Sequence, residues 1–323
     1  MLFERATVCS YCLSTLLMRI SVIVPTLNRH EELLTLAQSL QEQTLLPDEL
    51  VVVDAGTPSD LEQKLTEALK SSSISLSYTT SEAGTSLQRN VAMELAQGEF
   101  FFFFDDDVVP EPNYIEASMK CFDMKYNPPV GGVLGTFSSP YKMSTIRSTY
   151  AQIFRLTHTT PGDSAKLMSS GAVRWLIEPS EVVRVPVCSG GRVVFRRECF
   201  EHELWDDFLP GYTMSEDVEI SYRIAKKWTL VQTPDAKIFH DKSENSRDRH
   251  AERLARLLFS RFYFFNKNLD KTPKHIGAFV WWNIGTIGLS LSSTIFGQQK
   301  ASEIAKGMLK GYKLCLNELQ KSK

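Results

Sequence analysis

The sequence predicts an α/β fold: a doubly wound, mostly parallel sheet with a helical extension at the C-terminus. Three observations predict it. Strand-like and helical stretches alternate four times between Ile20 and Phe104, the pattern of a parallel sheet covered by helices. Phe100 to Phe104 form an unbroken apolar run with Gly98 before it and Pro110 after it, which suits a strand buried on both faces in mid-sheet. That run ends in Asp105, Asp106 and Asp107, at the carboxyl edge where open α/β sheets bind ligands.

The elements follow in order. Ile20 to Arg29 is a strand ending in a polar turn, and the next stretch carries Leu33, Leu36, Ala37 and Leu40 at helical spacing. Glu49 to Val53 is a second strand, closed by Asp54-Ala55-Gly56. Ser59 with Glu62 reads as a capping box opening a helix with Leu61, Leu65 and Leu69 on one face. Ile74 to Tyr78 is an alternating third strand, and Ser86 to Gln97 a helix closed by Gly98. The loops after the first, second and fourth strands carry Asn28 and Arg29, Asp54, and the aspartate triplet. All can converge on one sheet edge, where a nucleotide-sized ligand is expected. Three crowded carboxylates repel unless a cation shares the site, and oxygen donors select Mg²⁺ or Mn²⁺. No glycine-rich phosphate loop follows the first strand, which points away from dehydrogenases and P-loop enzymes.

The second half changes character. Val182 to Phe195 reads as two short strands around Ser189-Gly190-Gly191, where the glycines would let backbone approach a ligand. Ser215 is the expected N-cap of a helix with Glu216 and Asp217 in its first turn and Ile220 and Ile224 on its buried face. The helix dipole keeps an acid in that turn ionised. Lys237 to His240 is a further short strand. Ser138 to Glu181 carries no interpretable motif.

With 323 residues and 43% hydrophobic content the chain has ample material for a core. Its net charge of −2 provides no basic field for nucleic acid. The six cysteines are scattered; only Cys9 and Cys12 have redox or metal spacing, and no second pair completes a zinc site. Reduced thiols in a cytoplasmic protein are expected. The first 17 residues lack a positive n-region, so a signal peptide is not expected. They read as a disordered or spurious extension before Met18.

The segments ISVIVPTLNR, ELVVVDAG, GTSLQRNVAMELAQGEF, FFDDDV, CSGGRVVFRRE and GYTMSEDVEISYRI, in this order from about Ile20 to Ser243, resemble the family 2 glycosyltransferases. The resemblance implies a GT-A fold over 18–243 and an inverting transfer of sugar from a nucleotide-sugar to a hydroxyl acceptor, with Mn²⁺ or Mg²⁺ as cofactor. By the same resemblance Pro25 and Thr26 line the nucleoside and Asp54 faces the base. Arg89 and Asn90 lie near the nucleotide, and Asp105 and Asp106 hold ribose or outer contacts. Asp107 coordinates the metal, with His240 close to it or to the diphosphate. Asp217 is the general base, and Gly190, Gly191 and Glu216 fall on the acceptor side. One departure is Ala55, which stands where many members carry a second acid; UDP-, dTDP- and GDP-sugars all remain open as donors. The expected acceptor is a glycan or a lipid-linked glycan. A non-catalytic module of the same fold is the alternative, disfavoured because a binder needs no base.

The remaining segment, 244–323, reads as a helical tail. Arg247 to Asn268 is a basic, aromatic-rich helix, and Ile276 to Gln299 contains no charged residue. Interfacial or re-entrant attachment to a membrane, a buried packing helix and a bilayer span are three readings of that second stretch, in this order of preference. The first would place the protein on the cytoplasmic face of a membrane.

Overall fold

The computed structural model describes residues 18–139, 143–162, 164–207, 214–240, 250–295 and 299–321; the expectation for the first 17 residues lies outside them. The first half is built from β1 (Ile20–Thr26), α1 (His30–Gln41), β2 (Glu49–Asp54), α2 (Leu61–Leu69), β3 (Ser75–Thr80), α3 (Thr85–Leu95) and β4 (Phe100–Phe104). β4, β1, β2 and β3 pair in parallel, side by side. β5 (Val108–Pro110), α4 (Tyr114–Lys120), β6 (Val130–Phe137), β10 (Val183–Arg184), β11 (Arg192–Arg196) and β12 (Thr229–His240) extend the sheet. Its order is β10-β12-β6-β11-β4-β1-β2-β3, with β5 beside β12. β11 runs antiparallel to both β4 and β6, so the sheet is mixed at its centre.

β4 is the axis of the core. Side chains alternate across a strand, so Phe100, Phe102 and Phe104 enter one apolar layer with Leu33, Leu36 and Tyr114. Phe101 and Phe103 enter the opposite layer with Phe195, Trp205 and Ile220. All five are buried, and burying each phenylalanine stabilises by roughly 2–3 kcal/mol relative to exposure. β3 is the edge strand; its residues are half-buried or exposed, so the alternation expected from its sequence does not appear.

Local details differ from expectation. α2 begins at Leu61 after Asp60, and no capping box forms; Ser59 Oγ instead accepts from Leu61 N at 3.3 Å. α3 ends at Leu95, and Gly98 is not its cap. A Cβ on Gly98 would lie 2.7 Å from Ser21 N, so the glycine serves the close approach of β4 to β1. The strand around Lys237 is twelve residues long, with an irregularity between Gln232 and Lys237.

The uninterpreted segment folds into α5 (Thr145–Ile153) and a small sheet of β7 (His158–Thr160), β8 (Lys166–Leu167) and β9 (Val173–Leu176), ordered β7-β9-β8. It covers one side of α6 (Glu216–Ile224): Val173 packs with Val187, Val218 and Phe264. Phe264 comes from α7 (His250–Asn268), which is followed by α8 (Pro273–Ile295) and α9 (Ala301–Lys321). Gly307 and Gly311 of α9 lie on the Ala251 and Ala255 backbone, where a Cβ would meet atoms at 2.8 and 3.1 Å; small residues therefore set the spacing of these helices. α8 buries Ala278, Trp282, Gly285 and Thr286 on one face. Among the described residues no helix is long and apolar enough to cross a membrane, which leaves the bilayer-span reading without support.

Candidate active site

The polar residues gather where β1, β2 and β4 end. Gln88 of α3 clasps two of those ends, its amide donating to Thr26 O at 2.9 Å and Val53 O at 2.7 Å. Beside it, Asp54 is buried with both oxygens engaged: Oδ1 accepts from Gly56 N at 2.7 Å and Oδ2 from the Tyr78 hydroxyl at 2.7 Å. Burial, the bond to Asp54 and its charge all raise the Tyr78 pKa, so that proton stays in place. Asn28, at a left-handed φ of 56°, accepts from Thr57 N at 3.0 Å. A Cβ on Gly56 would lie 2.7 Å from Asn28 Oδ1 and 2.9 Å from Asp54 Oδ1, so a glycine is required where the two loops meet. Pro25, half-buried, pairs with Val53 at the head of this wall.

The three aspartates divide their work. Asp106 accepts from Thr26 Oγ1 at 2.8 Å and from Arg29 Nη1 at 2.7 Å, and the same Nη1 reaches Asp107 Oδ2 at 2.8 Å. Asp107 Oδ1 lies 3.1 Å from His240 Nε2. The His240 ring stacks on Phe137 at 5.7 Å, and the Arg192 guanidinium lies 4.1 Å from the Phe137 centroid. Burial pushes the Asp106 carboxyl up to about 6, against the charge of Arg29 and the bond from Thr26. Burial also opposes ionisation of Asp107, but the bond and charge of His240 and the charge of Arg29 outweigh it and lower its pKa.

Asp107 and His240 offer one carboxylate and one imidazole. Among the described residues no three acid, histidine or cysteine side chains form a metal-binding group. A carboxylate and an imidazole would suit a divalent ion that takes its other ligands from phosphate or water oxygens. Imidazole favours Mn²⁺ over Mg²⁺.

Arg89 ties the other side of this cluster. Its guanidinium, 1% exposed, lies 3.3 Å from Asp105 Oδ1 and 3.2 Å from Glu216 Oε1. It stacks 4.5 Å from the Trp205 centroid. Asn90 holds Trp205 in place, its amide donating to Trp205 O at 2.8 Å and accepting from Trp205 N at 2.9 Å. Asn90, expected near the nucleotide, is thus committed to supporting the arginine beside it. Burial raises the Asp105 pKa against the charge of Arg89, although 45% of its side-chain surface is accessible and water moderates that shift. Burial, then the charge of Asp217, pushes Glu216 up to about 7, against the pull of Arg89.

Gly190 and Gly191 give this corner its close packing. A Cβ on Gly190 would lie 2.8 Å from both Arg89 Nη atoms, and one on Gly191 would collide with the Asp105 carboxylate. The close approach expected there is to side chains of the site itself. Gly190 N donates to Asp217 Oδ2 at 3.0 Å, and Val218 N donates to Asp217 Oδ1 at 2.7 Å. Ser215 stands at the N-cap position with φ 70° and makes no side-chain cap bond. Asp217 is therefore held by two backbone N–H groups at the start of a helix.

Sequence reasoning passed over Gln88, Tyr78, Trp205 and Phe137. Each acts through a partner on another element. The Trp205 that opens the WDD segment carried no local sign of its stacking role.

Residues 21–175 match the family model described as Glycosyl transferase family 2. The chondroitin synthase of Escherichia coli is 23% identical over 273 residues, covering 78% of this chain and 40% of that one. The glucosyl-dolichyl phosphate glucuronosyltransferase of Haloferax volcanii is 29% identical over 121 residues, covering 37% and 38%. The chain thus spans about two-fifths of the length of these curated relatives. Among solved structures, a mannosyltransferase from Pyrobaculum calidifontis, in complex with GDP-Man and Mn²⁺, superposes with a TM-score of 0.57 at 16% identity, covering 91% of this chain and 87% of that one. S. aureus TarS 1–349 in complex with UDP-GlcNAc gives the same score and identity, covering 91% and 79%. These likenesses establish the fold, the mixed α/β sheet of the GT-A transferases with helices at the C-terminus.

Proposed function

Because the chain belongs to the family 2 glycosyltransferases, we propose that it moves a sugar, with inversion, from a nucleotide-sugar to an acceptor hydroxyl in the synthesis of a cell-surface polysaccharide or related glycan. The observation that carries this reading is a pair of differently prepared carboxylates on either side of Asp105, which lies in the field of both Asp107 and Asp217. On one side Asp107 stands with His240 and Arg29. On the other, Asp217 is held by Gly190 N and Val218 N.

The chemistry divides accordingly. Asp217 accepts the proton of the acceptor hydroxyl as that oxygen attacks the anomeric carbon from the face opposite the leaving group. The bond from the anomeric carbon to the diphosphate oxygen breaks, and its electron pair leaves with the nucleoside diphosphate. A divalent ion held by Asp107 and His240 would supply charge neutralisation for that leaving group. Pro25, Thr26, Asn28 and Asp54 form the wall on which the nucleoside would lie, with Asp105, Asp106 and Arg29 toward the ribose and phosphates. Arg89 and Asn90 support the floor, and Gly190, Gly191 and Glu216 border the acceptor. With Ala55 after Asp54, uridine, thymidine and guanosine diphosphosugars remain candidate donors; the two solved neighbours carry GDP-Man and UDP-GlcNAc. The acceptor in this reading is a glycan or lipid-linked glycan on the cytoplasmic side of a membrane, in keeping with four free, buried cysteines among the described residues.

The reading is tested by thermal shift with UDP, dTDP, GDP and CMP, each with and without Mn²⁺. A manganese-dependent rise with one nucleotide, lost in Asp107→Asn, is the expected result. No rise with any nucleotide in folded protein would leave the non-catalytic module as the better description.

A further inference from the structure

Exposed large apolar residues of α8 form a stripe along that helix. α8 turns Ile276, Val280, Ile284, Leu291 and Ile295 to the outside, opposite its buried Ala278, Trp282 and Gly285. Their spacing of four, four, seven and four places them on one stripe of a helix about 34 Å long. Exposed Trp281 links this stripe to α5: its Nε1 donates to Ile153 O at 2.8 Å, and its ring stacks on Phe154 at 4.8 Å. Tyr150 Oη donates to Gly285 O at 2.9 Å, which fixes α5 along α8. α5, fixed beside α8 by these contacts, adds two exposed apolar residues, Ile146 at 86% and Ile153 at 57%. Contiguous apolar exposure of this kind marks an interaction surface, whereas single exposed residues do not.

Charge identifies the partner. The stretch 143–162, which contains α5, carries Arg147 and Arg155 and no acid. Between Asp270 and Glu303, the stretch 271–302, which contains α8, carries Lys271, Lys274 and Lys300 and no acid. Two acid-free, cationic stretches meet at this face in a chain whose net charge is −2. A second copy would bring like charges together. An anionic lipid surface matches both the aliphatic stripe and the exposed Arg147, Arg155, Lys274 and Lys300 around it.

We propose that the α5–α8 face rests on an anionic membrane surface, with α8 in the plane of the interface, its apolar stripe below the headgroups and the flanking cations against lipid phosphates. Behind this face Trp282 stacks near Arg261, at 5.8 Å, and Arg261 lies in the field of Asp217. Arg261 thus stands between this face and the residue proposed as base. The surface itself does not depend on sugar transfer.

Flotation of the full chain with phosphatidylcholine vesicles, with and without phosphatidylglycerol, tests this separately from any activity. Wild-type protein should float with the phosphatidylglycerol vesicles and be released by salt. Val280→Glu with Ile284→Glu, both at exposed positions, should lower the bound fraction about tenfold or more while the circular dichroism spectrum is unchanged. Lys274→Glu with Lys300→Glu should remove the preference for phosphatidylglycerol, and Leu95→Glu, at an exposed site on α3, should have no effect. The proposal is overturned if wild-type protein stays with the unbound fraction, or if the Val280–Ile284 double variant floats as well as wild type. It is equally overturned if the protein is a vesicle-indifferent dimer that the double variant dissociates.

Discussion

Arg89 Nη1 lies 3.2 Å from Glu216 Oε1, joining the helix before the phenylalanine strand to the helix that presents Asp217. The same guanidinium reaches Asp105 at 3.3 Å, so one buried cation holds this side of the cluster together. Removing one partner of a buried pair costs about 3–5 kcal/mol, because the remaining charge is stranded. Arg89→Met should therefore lower the unfolding free energy by about 3 kcal/mol or more. Urea denaturation measures it, and a loss of only a few tenths would show that the pair is not structurally important.

Glu216 makes stability fall with pH. Its folded pKa, about 7, lies above the ordinary 4.5. Between those values the folded state holds a proton that the unfolded state has released, so stability declines as pH rises through the window. Above it the carboxylate is ionised in both states and the full cost of burying it remains. Because Arg89 keeps Asp105 as its counter-charge, Glu216→Gln should be more stable than wild type at about pH 8, with the gain shrinking at about pH 5. Guanidinium denaturation at both pH values checks this; a larger gain at the lower pH would refute it.

Asp217→Asn should lose about 100-fold or more of any transfer rate, the usual contribution of a positioned base. Nucleotide binding should be retained, because the N–H groups of Gly190 and Val218 meet Asp217 away from the Asp107–His240 edge. Rate assays paired with nucleotide titration separate the two effects. Unchanged transfer in the variant would move the base elsewhere, with Glu216 the first alternative.

Tyr78→Phe should cost about 1–3 kcal/mol, since the buried Asp54 Oδ2 loses the hydroxyl it accepts from at 2.7 Å. The loop that joins Asp54 to Gly56 and Asn28 should loosen and weaken nucleotide affinity. Calorimetric titration would detect that as a higher Kd.

Arg29 bridges Asp106 and Asp107 at 2.7 and 2.8 Å, where a metal cation would also be attracted. Arg29→Gln should lower the melting temperature without metal and enlarge the increment produced by Mn²⁺, because the two carboxylates then repel until a cation arrives. His240→Ala should shrink that increment. An Arg29→Gln protein indifferent to Mn²⁺ would argue against an ion at Asp107.

Local pattern was informative wherever the chain's own periodicity set the outcome. The phenylalanine run was legible as a strand buried on both faces because no polar face was available to it. Leu61, Leu65 and Leu69 marked the inner face of α2 for the same reason. Helix ends were less legible: Ser59 and Gly98 have side chains, or lack them, that suit caps, yet Gly98 serves an inter-strand approach. The antiparallel β11, inserted between β4 and β6, was not visible in the alternation of elements.

The sequence by itself determined the parallel half-sheet, the carboxylates at its edge and the acids of the Asp217 turn, because each depends on short-range pattern and the direction of the chain. Only the tertiary structure decided how those acids are used. Asp106 and Asp107 share Arg29, Asp105 and Glu216 share Arg89, and Asp217 is held by the Gly190 backbone. These pairings join residues as far as 127 positions apart. Packing sets both the distances and the burial that shift their protons, and neither quantity is carried by local sequence.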